Sequence, residues 1–154
     1  LVWITVKAPK LGTFIANRDR ESLDSLFSIS FKRSFVMMIL AVVVLNGLYF
    51  GLSMIGSPNL DRVLSWPLIV VLSMIALCNH VVFALSIYLR AHKQEPFLSI
   101  SILNGIVTFA LSLMLVPFLG VSGAVYSYAF GAVVVGLFGG SYIFFKKRAE
   151  WRSA

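Results

Sequence analysis

Long uncharged runs alternate with short charged breaks along the chain, and that alternation predicts its elements. Residues 34–60, 63–89 and 97–145 contain no Asp, Glu, Lys or Arg. At a rise of about 1.5 Å per residue, each of the first two runs makes a helix longer than the roughly 30 Å of hydrocarbon in a bilayer. The third is too long for one crossing and suits two joined by a turn, which Pro117-Phe118-Leu119-Gly120-Val121-Ser122-Gly123 supplies. Four crossings are therefore predicted, at about residues 34–56, 65–89, 97–117 and 121–145.

The breaks carry the punctuation expected at a lipid–water boundary. Gly56-Ser57-Pro58-Asn59 ends the first span and Asp61-Arg62 marks water beyond it. Trp66-Pro67 opens the second span with an interfacial aromatic and a proline at a position where its missing N–H matters little. Leu89-Arg90-Ala91-His92-Lys93-Gln94-Glu95-Pro96-Phe97 is a charged hairpin between the second and third spans. Residues 1–6 read as the stump of a preceding transmembrane helix, and residues 7–33 as a loop in water. Within that loop Ser22 is the expected N-cap of a short amphipathic helix bearing Leu23, Leu26, Phe27 and Phe31. Such a helix either lies on the membrane surface or packs on its neighbours. Residues 146–154 form a basic tail.

Composition sharpens the class. With 59% hydrophobic and 12% charged residues, the chain departs from soluble norms of about 45–50% and about 25%. It reads as an all-α integral membrane protein. The net charge of +7 points to membrane topology and not to nucleic acid, because every Lys and Arg except Arg62 falls on one side of the predicted fold. By the positive-inside rule the N-terminal loop, the Arg90 hairpin and the C-terminus of this multi-pass protein are cytoplasmic.

Helices in lipid associate through small residues and polar bridges. Gly47 and Gly51 in the first span, and Gly123, Ser127, Gly131, Gly136 and Gly140 in the last, have the spacing of packing seams. Ser101, Asn104, Gly105, Thr108 and Ser112 form a polar stripe on the third span, either a helix seam or a wall along which a substrate headgroup moves. His80, beside Asn79, lies near mid-membrane and is either a proton-linked residue or a neutral histidine held by a neighbouring helix. Cys78 is a core residue by position. No metal-ligand spacing, nucleophile set or paired carboxylates occur, so no catalytic residue, metal or cofactor is expected.

The hairpin from Tyr88 to Phe97, the turn from Pro117 to Ala124 and the loop from Ala8-Pro9-Lys10 through Ile15-Ala16-Asn17-Arg18-Asp19 to Leu26-Phe27 together resemble a known family. They are similar to the C-terminal part of bacterial polysaccharide and O-antigen flippases of the multidrug/oligosaccharidyl-lipid/polysaccharide exporter superfamily. The resemblance implies four helices of a larger transporter with twelve or more helices in two bundles. It implies the bacterial cytoplasmic membrane, alternating access, a lipid-linked oligosaccharide as substrate, and partner helices N-terminal to this segment in the same transporter. Arg90 and Lys93 would then meet the anionic headgroup, although the same residues also suit topology alone. Two other classes fit the pattern: a small four-helix oligomeric exporter, and a non-transporting membrane anchor or assembly subunit.

Overall fold

Asp19 starts the first long helix: its Oδ1 accepts the backbone N–H of Ser22 at 3.0 Å, and Glu21 adds negative charge at the helix's electropositive end. The computed structural model describes residues 2–56, 60, 63–92 and 97–153. In chain order these form α1 (Val2–Thr5), α2 (Ala8–Ala16), α3 (Arg20–Met54), α4 (Trp66–Ala91), α5 (Phe97–Leu119) and α6 (Val121–Phe130). A π-helical segment (Gly131–Gly139) then leads without a break into α7 (Gly140–Ser153). The described residues contain no strand, and four helical stretches are long and apolar enough to cross a membrane. The described residues are those of a helical membrane protein. The Ser57-Pro58-Asn59 turn, Asp61-Arg62 and the hairpin residues Lys93, Gln94, Glu95 and Pro96 lie outside the described residues.

Two expectations for residues 7–33 are corrected. The helix does not begin at Ser22, because Asp19 is the cap, and it does not stop before the first crossing but continues unbroken to Met54. Its 35 residues make a rod of about 50 Å, so its first turns project past the apolar zone with Arg20, Asp24, Lys32 and Arg33. Leu23, Leu26, Phe27 and Phe31 pack inside the protein, with Leu23 in the buried core and the others against it. The physical reason is the aromatic partner they find: Phe27 meets Tyr88 of α4 edge-on at 4.9 Å.

The core therefore sits at one end of the bundle, where α1 and α2 cover the start of α3 and the end of α4. Ile4, Leu11, Leu23, Ala84, Ile87, Tyr88, Leu89, Phe97 and Phe144 form it. Away from that end, α3 packs on α4 through two polar bridges. Ser34 Oγ lies 3.0 Å from His80 Nε2, and Asn46 Nδ2 donates to Ser73 Oγ at 3.0 Å. Helix α5 packs on α6 and the π segment, and α4 touches α6, the π segment and α7. The order across the bundle is thus α3, α4, the last span, α5.

The seam of the last span is close. A Cβ added at Gly123 would lie 2.6 Å from the carbonyl oxygen of Leu115, and one at Gly131 would collide with Thr108 Oγ1 and Asn104 Oδ1. Gly140 leaves room for the ring of Phe97, 2.9 Å from where its Cβ would stand. Ser127 is fully buried between them and donates to the Gly123 carbonyl at 2.7 Å. Gly136 turns instead toward α4, where Val82 is at ordinary contact distance. At Gly47 and Gly51 no seam forms within this chain, since among the described residues nothing lies within 4 Å of a Cβ at either position. Their face of α3 looks away from the other helices of this chain.

Gly120 is the one residue between α5 and α6, at φ +56°, and its N–H donates to Val116 O at 2.8 Å. The expected turn is tighter than the glycine cluster suggested, because α5 carries Pro117 in its last turn and stops only at Leu119. In the π segment, Val133-Val134-Val135 crowds a tight α turn, and glycines on both sides permit the wider one. Gly123→Ala should destabilise the protein by about 1–3 kcal/mol in denaturant titrations in micelles, as expected of overpacking against backbone. Gly47→Ala should change stability by less than about 0.5 kcal/mol; equal losses for the two would refute the one-sided seam.

Candidate functional site

Helix α4 presents three faces, and each meets something different. His80 and Ser73 point to α3, Tyr88 points to the basic end, and Asn79, Phe83, Ser86 and Arg90 line a groove. The groove runs between α4 and α5 because the two helices meet the last span on different sides and leave a gap between themselves. It encloses about 510 Å³. From α5 come Phe97, Leu98, Ser101 and Asn104, and Tyr128 of α6 closes the back.

Its polar groups are amides and hydroxyls. Asn79 Nδ2 donates to Tyr128 Oη at 2.7 Å across the back wall, tying α4 to α6. Asn104 is wedged beside Gly131, where the lost Cβ makes room for it, and its Oδ1 accepts a long 3.4 Å bond from Thr108 Oγ1. Ser86 turns its hydroxyl back to the Phe83 carbonyl at 2.7 Å, which satisfies it inside its own helix. Arg90 stands at the end of the groove, on the last turn of α4, where the helix dipole favours a cation. Among the described residues the lining contains no carboxylate and no histidine. Such a surface can donate and accept hydrogen bonds along its length and attract an anion at one end, but it holds no acid–base pair.

The structure brings three of the residues singled out in the sequence, Arg90, Ser101 and Asn104, to this one groove. Thr108 lies one turn further along α5 and packs against Gly131. Ser112 is half-buried outside the groove, and Lys93 lies outside the described residues. The stripe on α5 is therefore part seam and part wall. His80 is elsewhere: it is 4% exposed, faces Ser34, and sits between the rings of Phe31 and Phe35 at 6.4 and 6.1 Å. It has a polar partner on the neighbouring helix, so any proton-linked role would act through α3 and not through the groove.

Ser86 and Tyr128 were not singled out in the sequence. Asn79, Ser86 and Arg90 are spaced seven and four residues apart, which places them on one helical stripe, and that spacing was the available signal. Tyr128 had none, because a tyrosine in an apolar run reads as filler until its hydroxyl is seen to meet Asn79. Among the described residues no group of three or more His, Cys, Asp or Glu could hold a metal ion. No family model matches the chain, and neither a curated protein nor a solved structure matches it.

A double-mutant cycle on Asn79→Leu and Tyr128→Phe should give a coupling energy of about 0.6 kcal/mol, and at most about 1.7, the range found for hydrogen bonds between membrane helices. The readout is unfolding in mixed micelles. Strictly additive effects would mean that the bond does not join α4 to α6.

Proposed function

We propose that these four spans are the C-terminal part of a flippase that carries a lipid-linked oligosaccharide across the cytoplasmic membrane. The observation that carries this reading is the groove between α4 and α5, with neutral hydrogen-bonding groups along it and Arg90 at its end. Sugar hydroxyls need partners that both donate and accept, which Asn79, Ser101, Asn104 and Tyr128 supply. A pyrophosphate needs a cation at headgroup depth, and Arg90 suits it by charge and by planar, forked geometry. The lipid tail stays outside, where the exposed apolar faces of α3 and α5 meet hydrocarbon.

On this reading the groove is half of a cavity and a second bundle supplies the other half. The unoccupied spacing of Gly47 and Gly51 on α3 supports further helices of the same transporter, since small residues there admit close approach. Alternating access would open the groove first to the basic, cytoplasmic end and then to the opposite side. A small exporter driven by an intramembrane carboxylate is less well supported, because the uncharged runs that form the spans contain no Asp or Glu.

The test is polysaccharide export in cells that depend on this protein. Arg90→Gln and Asn104→Leu should each leave membrane insertion intact and lower export at least about tenfold, the loss of one charge-assisted or buried hydrogen bond of about 1.5–3 kcal/mol in the first case. Ile106→Ala, on the outer face of α5, should leave export unchanged. Normal export in both groove variants would contradict the proposal.

A further inference from the structure

A second cavity, of about 260 Å³, opens at the basic end and shares no residue with the groove. It lies under α2, between the start of α3, the end of α4 and α7. Phe14, Ile15 and Leu23 form an apolar wall, while Arg18, Arg20 and Arg148 bring three guanidinium groups to it. Two carboxylates are also present, but both are engaged. Asp24 accepts Tyr88 Oη at 2.9 Å on one oxygen and Arg148 Nη2 at 2.6 Å on the other. Asp19 caps α3, and hydrogen bonds from Ser22 hold its carboxyl below the usual carboxylate range.

Two further observations mark this cavity as more than a gap in packing. First, Arg18 is the sole non-glycine residue with positive φ among the described residues, at +57°. It closes α2 in a Schellman turn: its N–H donates to Ile15 O at 3.1 Å, and that of Asp19 to Phe14 O at 2.9 Å. Glycine is the residue that turn prefers, so an arginine stands there against the backbone's own preference. Second, Nε2 of His92 and Nε of Arg148 are buried, and nothing among the described residues bonds either one. His92 stacks on Trp151 with ring centroids 3.7 Å apart, which fixes its plane. Burial pushes the imidazole below its ordinary range, although the Asp24 carboxylate pulls the other way.

We propose that this cavity binds a phosphate-bearing anion, with Arg18 and Arg20 at its mouth taking the phosphate oxygens and His92 Nε2 reaching it from within. Fork-shaped guanidinium groups match phosphate oxygens in pairs. The apolar wall of Phe14, Ile15 and Leu23 lies where the hydrocarbon of a phospholipid would follow its headgroup. The shared chemistry is the phosphate, carried either by a lipid of the surrounding leaflet or free in solution.

The test is binding to the detergent-solubilised chain, followed by native mass spectrometry and thermal unfolding. The probes are inorganic phosphate, dihexanoyl phosphatidic acid, and dihexanoyl glycerol as the phosphate-free control. Arg18→Gly is the informative variant, because glycine suits φ +57° and the fold should hold. It should raise the unfolding temperature of the unliganded protein by a few degrees and weaken binding at least tenfold, and Arg20→Gln should weaken binding without the stabilisation. Saturable one-to-one binding of either phosphate probe that falls in both variants is the expected result, and the tighter of the two identifies the source. Equal binding of the phosphate-free control, no binding of either phosphate probe, or affinity unchanged in both variants would overturn the proposal.

Discussion

Asp24 ties three helices together at one point. Tyr88 near the end of α4 and Arg148 on α7 each donate to one of its carboxylate oxygens, and Asp24 itself stands on the second turn of α3. The side chains of Asp24 and Arg148 are each 30% exposed, so the ion pair alone is worth little, about 1 kcal/mol or less. Its importance is geometric. Beside it Phe27, Tyr88 and Phe144 pack edge-to-face at 4.9 and 5.3 Å, and each such contact adds about 0.5–1.5 kcal/mol beyond the buried area. Polar knot and aromatic cluster together set where α3, α4 and α7 emerge from the basic end.

The groove follows from that constraint. Helix α4 is held to α3 on one side and to the last span on the other, by His80, Asn46–Ser73 and Asn79–Tyr128. Helix α5 is held chiefly by the last span, through the close approaches at Gly123, Gly131 and Gly140. Because α4 and α5 lean on different parts of one partner, a gap is left between them, and the polar residues that line it stay open. A wide π-helical stretch in that shared partner, at Gly131–Gly139, faces both neighbours. It gives the last span a place to yield if the groove changes width.

Much of this was legible in the sequence, for reasons that differ by element. The four spans were readable because lipid excludes charge, so uncharged runs count them. Their ends were not, since a helix needs no lipid to continue: α3 begins fourteen residues before Ser34 because Asp19 caps it and Phe27 finds Tyr88. Glycine spacing named the seam within this chain at Gly123, Ser127 and Gly131, while at Gly47 and Gly51 no described residue of the chain comes close. Spacing shows that a helix can be approached closely, not that anything approaches it. The polar stripe on α5 was visible, but its division between seam and groove depends on where Gly131 falls opposite Asn104. Arg18 in a glycine-type turn gave no sequence signal, while the π segment has a local cause, the Val133-Val134-Val135 run between glycines, that counting uncharged residues does not read.

The central claim is that the face of α5 bearing Ser101 is open to water while its outer face is not. Single cysteines in a Cys78→Ser background, labelled in membrane vesicles with a small charged thiol reagent, test it directly. Both Ser101 and Ile106 are exposed on the isolated chain, so exposure alone does not separate them. The account predicts rapid labelling of Ser101→Cys and protection of Ile106→Cys by lipid. Equal protection of the two positions would mean that the groove is filled by hydrocarbon or by another helix, and would contradict it.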